Sequence, residues 1–391
     1  MSVQAVATFN IGSSSLKFSV YGLQPDKKLS ACLLRGAVRD LSGARSVDIS
    51  DPAMLEGLEV EIRQCEEPHQ LTERLAGWLS RQTEQFTLTG IGHRIVHGGR
   101  KHARAVIANE TNLEELEALS VFAPAHQPHN LAGVRAVQAA LPDLPQTLSF
   151  DTAFHRTIPR IAELYALPRA LSEEGILRFG FHGLSYAHIS ESIGEILGSR
   201  PARLIALHLG SGASACAMRN GASIATSMGL TALDGLPMAT RCGDLDPGVV
   251  LHLVQDRGMS PDDVGDLLYR QSGLLGVSGI SSDPRVLLES SAPEAREALD
   301  LYCYRIASQV GSLMVDLGGI DAIVFSGGVG ENSPEIRNRI IEHLEWLGPR
   351  IEQTANLANS TFLSPPDAPV SVIRIEADEE RIIARDCASL L

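Results

Sequence analysis

The chain has 391 residues, 44% of them hydrophobic and 20% charged, which is typical of a folded protein with room for two domains. Its formal net charge is −14, which argues against a nucleic acid or an anionic membrane as partner. No apolar run is long enough to cross a bilayer, and the N-terminus has no secretory signal. The six scattered cysteines include no C-x-x-C pair and are interpreted as reduced thiols of a cytoplasmic protein.

The opening segment, TFNIGSSSLKFSV at residues 8–20, predicts two strands joined by a tight Gly-Ser turn. Apolar residues at 16, 18 and 20 alternate with polar residues at 17 and 19, which is the period of a strand. The common phosphate loop, G-x-x-x-x-G-K-[ST], joins a strand to a helix instead. The segment is therefore interpreted as a different kind of phosphate-binding turn.

A second segment, LIALHLGSGASACAM at residues 204–218, repeats the first about 200 residues later. Three pairs of positions match: Asn10 with His208, Gly12 with Gly210, and Ser15 with Ser214. The repeat predicts a duplicated fold that holds a nucleotide between two Gly-Ser turns.

The rest of the chain is predicted to be mixed α/β. Strands are expected at 91–97, 146–150 and 321–325, and helices at 112–120 and 130–141. The second of these strands delivers Asp151 at its carboxyl end, where open α/β sheets bind ligands. The segment SGGVGENS predicts a Gly-rich turn, followed by a helix with Pro334 in its first position. Residues 40–70 show no strong period and are expected to be peripheral.

Four segments mix Gly or Pro with His, Arg or Asp, as the loops of functional sites do. They are GHRIVHGGR (92–100), FAPAHQPHN (122–130) with FDTAFH (150–155), RFGFHGLSYAH (178–188) and TSMGLTALDGLPMATRCGDLDP (226–247). Eight motifs, in chain order and at these intervals, closely resemble the acetate kinase family, which includes propionate kinases: NIGSSSLKF, HRIVHGG, FDTAFH, RFGFHGLSY, HLGSGAS, TSMG, ATRCGDLDP and FSGGVGENS.

The resemblance implies an α/β fold of two duplicated actin-like ATPase (ribonuclease H-like) domains, with the active site in the cleft between them. Residues 1–150 with 378–391 would form the N-terminal domain, and residues 151–377 the C-terminal, nucleotide-binding domain. It also implies a homodimer that uses Mg²⁺ or Mn²⁺ and ATP/ADP. The expected reaction is the reversible phosphorylation of acetate to acetyl phosphate.

Such a reaction requires positive charge, because a carboxylate that attacks a γ-phosphate brings two anions together. The guanidinium groups of Arg94 and Arg241 are rigid forks suited to carboxylate and phosphoryl oxygens. The resemblance makes both catalytic, together with His182 and Asp151. Asp151 has two possible roles, orienting a bound water or attacking the phosphate itself. We expect direct in-line transfer, which needs no protein nucleophile.

The resemblance also assigns the binding residues. Those for the acid substrate are Arg94, Val96, Ala125, His126, Phe181 and Ala232. Those for the nucleotide are Lys17, Ser15, His208, Gly210, Ser211, Gly212, Asp283, Pro284, Arg285, Gly327, Gly328, Gly330, Glu331 and Asn332. Those for the metal are Asn10 and Glu379, with the neighbouring Glu380 as the alternative carboxylate.

Several positions depart from the family pattern. Ala125 and Ala232 are smaller than the family's residues in the methyl pocket of acetate, and Gln127 replaces an Asn. A larger pocket favours propionate, or another short-chain fatty acid, as the alternative substrate. Pro284 stands where an aromatic residue that contacts adenine is common, which leaves the base selectivity open.

Other interpretations of single motifs stay open at this point. Gly183–Ala187 is nearly G-x-S-x-G, and HGGR at 97–100 is typical of an oxyanion hole. A serine hydrolase with Ser185 as its nucleophile is therefore one alternative. A second alternative is a non-catalytic ATP-binding module, and a third is a catalytic thiol at Cys242. His93 and His97 are not expected to bind zinc, because they lie too far apart on a strand.

Overall fold

The computed structural model describes residues 2–12, 15–39, 41, 45–63, 65, 68–124 and 126–391. The chain packs into two compact units, Met1–Phe154 with Asp378–Leu391, and His155–Ala377. No helix within these described ranges combines the length and the apolar character needed to span a membrane.

The strands, in chain order, are β1 (Val3–Ile11), β2 (Ser15–Leu23), β3 (Leu29–Arg39), β4 (Ser46–Ile49), β5 (Phe86–Ile95), β6 (Val106–Ile107), β7 (Gln146–Phe150), β8 (Arg203–Leu209), β9 (Ala213–Arg219), β10 (Ala222–Thr226), β11 (Ala322–Ser326) and β12 (Ser371–Arg374).

The α-helices are α1 (Leu55–Arg63), α2 (Pro68–Ser80), α3 (Glu110–Glu117), α4 (Gln127–Ala140), α5 (Arg160–Glu163), α6 (Arg169–Glu173), α7 (Gly183–Leu197), α8 (Pro247–Gln255), α9 (Pro261–Arg270), α10 (Gly273–Ser278), α11 (Pro284–Glu289), α12 (Pro293–Leu317), α13 (Gly327–Asn332), α14 (Pro334–Glu342), α15 (Gln353–Leu357) and α16 (Glu379–Leu390). Short 3₁₀ helices are Pro52–Met54, Ala118–Phe122, Ala153–Thr157 and Glu345–Leu347.

The first unit is built on a sheet with the strand order β4-β3-β2-β1-β5-β7-β6. Strands β1 to β4 form an antiparallel meander, and β5 and β7 run parallel to β1. The two predicted strands are confirmed, with Asn10 opposite Lys17, whereas Ser13 and Ser14 of the predicted turn lie outside the described residues. Parallel strands end at the same edge of a sheet, so the residues that follow β1, β5 and β7 lie close together.

The second unit repeats this plan in a sheet with the order β10-β9-β8-β11-β12. Strands β8 to β10 form an antiparallel meander, and β11 and β12 run parallel to β8, as β5 and β7 do to β1. The predicted duplicated α/β fold is therefore confirmed.

The predicted match of Ser15 with Ser214 is wrong. Ser214 pairs with His208, whereas the residue that pairs with Asn10 is Lys17. The last pair of the first hairpin is Ile11 with Leu16 and that of the second is Leu209 with Ala213, so the first connection is one residue longer and every later position is shifted. Lys17 is thus the structural counterpart of Ser214.

Several predicted elements differ at their ends or in kind. The strand expected at 91–97 begins earlier, at Phe86, and ends at Ile95. The Gly-rich segment after β11 is the short helix α13 and not a turn, although α14 does begin at Pro334. The segment 40–70 is not peripheral throughout, because Leu58 and Ile62 of α1 lie in the core of the first unit.

Helix α16 follows the whole second unit in sequence but packs on the sheet of the first. Its Ala384 and Cys387 pack with Val6 and Tyr21. The approach is close at Gly92 of β5, where an added Cβ would lie 2.6 Å from Ile383 Cγ2 and 3.0 Å from the Ile383 carbonyl oxygen. A glycine at this strand position is thus required for the helix to dock.

We expect Gly92→Ala to lower the free energy of unfolding by about 1–3 kcal/mol, because the new methyl group collides with the α16 backbone. Chemical denaturation monitored by circular dichroism measures the change. Gly311→Ala is the matched control, since a Cβ at Gly311 in α12 meets no atom within 4 Å. It should stabilise the chain by about 0.5–1 kcal/mol through helix propensity. Equal stabilities for the two variants would contradict the close packing at Gly92.

Candidate active site

The first unit brings together an arginine and an aspartate at the ends of adjacent strands. Arg94 lies near the end of β5, in register with Ser149 of β7, and Asp151 directly follows β7. Arg94 Nε donates to Asp151 Oδ1 at 3.0 Å, and Arg94 Nη2 donates to Asp151 Oδ2 at 2.5 Å. Asp151 is 1% exposed, so this two-point ion pair is buried.

Asn10, at the end of β1, connects this ion pair to the first turn of α16. Its Oδ1 accepts from Arg94 Nη1 at 3.2 Å. Its Nδ2 donates to Glu379 Oε2 at 2.8 Å and to Glu380 Oε1 at 2.9 Å. Both candidate carboxylates therefore contact the same amide, and Glu380 is buried, at 7% exposed.

The electrostatics of this cluster favour a cation. Burial raises the pKa of Asp151, and the Arg94 guanidinium opposes that rise. Burial also raises the pKa of Glu380, Lys17 opposes it, and Glu379 adds to it. The group has three carboxylates and two cationic side chains, so a further positive charge would relieve the excess.

The donor set fits Mg²⁺ or Mn²⁺, which prefer oxygen ligands and retain several waters. In the part of the chain that the structure describes, no three His, Cys, Asp or Glu side chains are arranged to enclose a metal. Magnesium is nevertheless commonly bound by one or two carboxylates together with substrate phosphates. The carboxylates of Glu379 and Glu380 satisfy that lesser demand, whereas Asn10 Oδ1 accepts from Arg94 Nη1 in this structure.

The chain directly after β5, which includes the expected acid-binding residue Val96, is held by two side chains of α4. Val96 is buried, and its backbone N–H donates to Asn130 Oδ1 at 3.2 Å. Gln127 accepts from the His97 N–H at 3.1 Å and donates to the His97 carbonyl at 2.9 Å. His126 is the half-buried N-cap residue of α4. Ala125 lies outside the described residues.

In the second unit, His182 precedes α7 in a left-handed backbone conformation, with φ +58°. Its Nδ1 lies 2.8 Å from Ser214 Oγ, which also contacts the Tyr186 hydroxyl. The His182 ring stacks on that of His208 with centroids 4.3 Å apart. A non-glycine residue with positive φ is costly, and such residues are concentrated at functional sites.

Arg241 and His182 both reach the second Gly-Ser turn. A Cβ on Gly212 would lie 3.3 Å from His182 Nε2 and 3.9 Å from Arg241 Nη1. Arg241 Nη1 donates to the Ala232 carbonyl at 3.0 Å, which holds the guanidinium in place. The structure thus brings His182, His208, Gly212 and Arg241 into one group.

His155, which was not predicted as a site residue, holds the segment before His182. Its Nε2 donates to the Phe181 carbonyl at 3.0 Å, and its Nδ1 lies 2.9 Å from Ser223 Oγ. Burial lowers the pKa of His155 to about 4, so the imidazole is neutral. A Cβ on Gly180 would lie 2.7 Å from the His155 ring. His155 belongs to the motif FDTAFH, but its contacts with Phe181 and Ser223 are visible only in the folded structure.

The expected nucleotide segment is held from inside by Glu331. Its Oε1 accepts from the Gly327 N–H at 2.8 Å and from the Ala377 N–H at 2.9 Å. Gly327 has φ +78°, and a Cβ there would lie 2.7 Å from the Leu209 carbonyl oxygen. Because Ser326 pairs with His208, α13 begins beside the Gly210 turn. Gly328 faces open space, and Asn332 is near it, with Nδ2 donating to the Gly328 carbonyl at 3.0 Å.

Arg337 of α14, another residue missed from sequence, supports the same segment. It is fully buried and donates to the carbonyls of Gly330 at 2.8 Å and Glu331 at 2.9 Å. It also donates to Asn356 Oδ1 at 2.8 Å. Burial lowers the pKa of Arg337 to about 10.

The segment 281–285 forms a separate helix start. Asp283 caps α11 by accepting from the Arg285 N–H at 2.9 Å, and the side chains of Asp283 and Arg285 form an exposed ion pair. Pro284 is the buried first residue of the helix. Both interactions join residues two positions apart, so they stabilise the start of α11.

Two alternative interpretations meet physical objections. Ser185 is fully buried within α7, and its Oγ lies 2.9 Å from His208 Nδ1, so it is not on the exposed turn that a hydrolase nucleophile needs. Burial raises the pKa of the Cys242 thiol, which disfavours a reactive thiolate.

The order of these segments along the chain has a counterpart among known proteins. The chain matches the acetokinase family over residues 5–385. It belongs to that family. It is 43% identical over 380 residues to an acetate kinase of Rhodopseudomonas palustris, with 96% of each chain covered.

Its fold is also similar to those of two solved kinases. A propionate kinase of Francisella tularensis has 33% identity and a TM-score of 0.87, with 100% of both chains covered. An acetate kinase of Porphyromonas gingivalis has 32% identity and a TM-score of 0.81, with 99% of each chain covered. The actin-like ATPase fold predicted from the resemblance is thereby confirmed.

We expect the free energy of unfolding to decrease as the pH falls from 6.5 towards 4. In this range the His155 imidazole binds a proton in the unfolded chain but stays neutral in the folded chain, where burial lowers its pKa to about 4. Urea denaturation at a series of pH values measures this. His155→Gln keeps a donor and an acceptor but does not titrate. Its free energy of unfolding should therefore depend less steeply on pH, with a slope smaller than that of the wild type by up to about 1.4 kcal/mol per pH unit. The exposed His252 provides the control variant His252→Gln, which should behave as the wild type. The same slope in all three proteins would contradict the neutral state of His155.

Proposed function

We propose that this chain is an acetate kinase, which transfers the γ-phosphoryl group of Mg-ATP reversibly to acetate and forms acetyl phosphate and ADP. The observation that carries the proposal is the buried Arg94–Asp151 fork, connected through Asn10 to two carboxylates, in a member of the acetokinase family. This group can receive a small anion on Arg94 and a divalent cation on the neighbouring carboxylates at the start of α16.

Arg94 is the proposed acetate-binding residue. A guanidinium has five N–H donors, and the contacts with Asp151 and Asn10 engage three of them. The remaining two can form a fork on a carboxylate. Because Asp151 accepts from Arg94 through both oxygens, we assign it to holding the guanidinium and not to attacking the phosphate.

The proposed chemistry is direct in-line displacement. A carboxylate oxygen of acetate forms a bond to the γ-phosphorus while the bond to the β,γ-bridging oxygen breaks, and ADP leaves with the electron pair. His182 and Arg241, which converge on Gly212, would donate to the oxygens of the transferring group. When bound at Asn10 and Glu379 or Glu380, Mg²⁺ or Mn²⁺ would neutralise negative charge on the phosphates.

The nucleotide is proposed to bind along the Gly210 turn and α13. Lys17, Ser15, Ser211 and Asn332 would contribute polar contacts, and Asp283 with Arg285 and Pro284 would bound the adenosine. Glu331, however, is proposed to shape the segment and not to contact the nucleotide, because its carboxylate accepts from two backbone N–H groups.

We also propose a homodimer in the cytoplasm. Helix α8 supports the dimer, because it is apolar and yet none of its residues is buried. Its Leu251 is 55% exposed and its Val249 is 39% exposed. Ile161, at 82% exposed, adds apolar surface in the same unit. The charge of −14 supports the proposal that neither nucleic acid nor membrane is a partner.

Hydroxylamine trapping of the acyl phosphate tests the activity, and Arg241→Lys tests the site. We expect hydroxamate to form only when ATP, Mg²⁺ and acetate are all present. Arg241→Lys should lower kcat by about 100-fold or more, because an ammonium cannot reproduce the planar fork. The control is Arg270→Lys, since the Arg270 side chain is 75% exposed on α9.

ATP consumption that does not depend on added acid would contradict the kinase and favour the non-catalytic ATP-binding module. Full activity of Arg241→Lys would leave the proposed kinase activity unaffected but would contradict the proposed role of Arg241 in the active site.

Propionate is the second candidate substrate. Ala125 and Ala232 are small, and Val96 and Phe181 are both buried. The similar Francisella tularensis protein is a propionate kinase. We expect kcat/KM for propionate within about tenfold of that for acetate, since one methylene changes binding by about 1–3 kcal/mol in such pockets. Ala232→Pro should lower the propionate value more than the acetate value. A propionate value about 100-fold below acetate in the wild type would reject the wide pocket.

A further inference from the structure

A clamp of three side chains holds the start of α16, and none of them has a role predicted from the sequence. Asp378 is the N-cap residue, and its carboxylate accepts from the Arg381 N–H at 3.2 Å. The Tyr21 hydroxyl of β2 donates to Asp378 Oδ1 at 3.1 Å. Arg35 Nη2 of β3 donates to Asp378 Oδ2 at 3.0 Å and to the Tyr21 hydroxyl at 3.1 Å.

This clamp lies next to the carboxylates that contact Asn10. Glu379 and Glu380 are the first two residues of α16 and directly follow Asp378. Three successive carboxylates repel one another, although the helix N-terminus favours each of them. Arg35 offsets this repulsion on the Asp378 side, and Lys17 does so on the Glu380 side.

We propose that Tyr21 and Arg35 are positioning residues, which fix the first turn of α16 through Asp378 so that Glu379 and Glu380 face Asn10 in the geometry that a divalent cation requires. The inference rests on the proposed function, in which these carboxylates hold Mg²⁺ or Mn²⁺. Residues that orient metal ligands through hydrogen bonds typically change metal affinity by about 10–100-fold when removed.

The effect should be local because the rest of α16 has its own anchors. Ser149 Oγ donates to Asp386 Oδ2 at 3.0 Å, and Ile383 packs against Gly92. Loss of the clamp therefore frees the first turn while the helix stays docked. Tyr21 should matter more than Arg35, because Tyr21 is 1% exposed whereas the Arg35 side chain is 51% exposed.

The test is Tyr21→Phe, which removes only the hydroxyl. The Mg²⁺ concentration for half-maximal acetate-dependent activity should rise about tenfold. At saturating Mg²⁺, kcat should stay within about twofold of the wild type, since the reacting residues are unchanged. Tyr302→Phe is the matched control, because Tyr302 of α12 is also buried, at 2% exposed, and belongs to the other unit.

A second readout needs no turnover. Free Mn²⁺, measured by electron paramagnetic resonance in the presence of ADP, should report weaker binding in Tyr21→Phe and unchanged binding in Tyr302→Phe. Asp378→Ser keeps a helix cap but removes the carboxylate, and it should weaken Mn²⁺ binding as Tyr21→Phe does. Arg35→Lys should retain most of the affinity that Arg35→Met loses.

The outcomes separate the inference from the function on which it rests. Mn²⁺ binding by Tyr21→Phe equal to that of the wild type overturns the inference, whatever the activity. A wild type that binds no Mn²⁺ with ADP overturns both the metal site and the clamp's role in it. Equal losses in Tyr21→Phe and Tyr302→Phe, with lowered thermal stability in both, would assign the effect to general packing and also overturn the inference.

Discussion

The site of the first unit depends on one buried ion pair, in which Arg94 holds Asp151 through two nitrogens. A charge removed from water is tolerated only when it is paired and hydrogen-bonded, and removal of one partner leaves the other uncompensated. Asn10 extends the pair, with its amide oxygen on Arg94 and its amide nitrogen on Glu379 and Glu380. The ends of three parallel strands and the start of one helix are therefore joined by ion pairing and hydrogen bonds in addition to apolar packing.

The elements whose signals are local could be predicted from the sequence. The alternation after Gly12 and the echo at Gly210 predicted two hairpins, and both exist with the same strand order around them. The position of Asp151 at a strand end was also predictable, since the strand predicted at 146–150 ends directly before it. Register was not predictable, because it depends on which residues pair across the hairpin. The match of Ser15 with Ser214 failed for that reason.

The residues that hold the site in place could not be predicted from their spacing. Tyr21 and Asp378 are in contact although 357 positions separate them, and neither belongs to a motif. His155 and Arg337 act on backbone carbonyls, which leave no mark in the sequence. Glu331 was selected as part of the Gly-rich segment, but α13 turns its carboxylate inward, towards the Gly327 and Ala377 N–H groups. Glycine content indicated a close backbone approach there without indicating a helix.

The docking of α16 over Gly92 has a consequence for the order in which the protein folds during synthesis. The ribosome completes all of His155–Ala377 before it adds Asp378–Leu391. The second unit can thus reach its final packing while the first still lacks the helix that covers Val6 and Tyr21. Until that helix arrives, Val6 and Tyr21 lack their packing partners, and the two carboxylates that contact Asn10 are absent. The nascent first unit consequently keeps this apolar surface uncovered until synthesis of the chain is almost finished, which exposes it to aggregation.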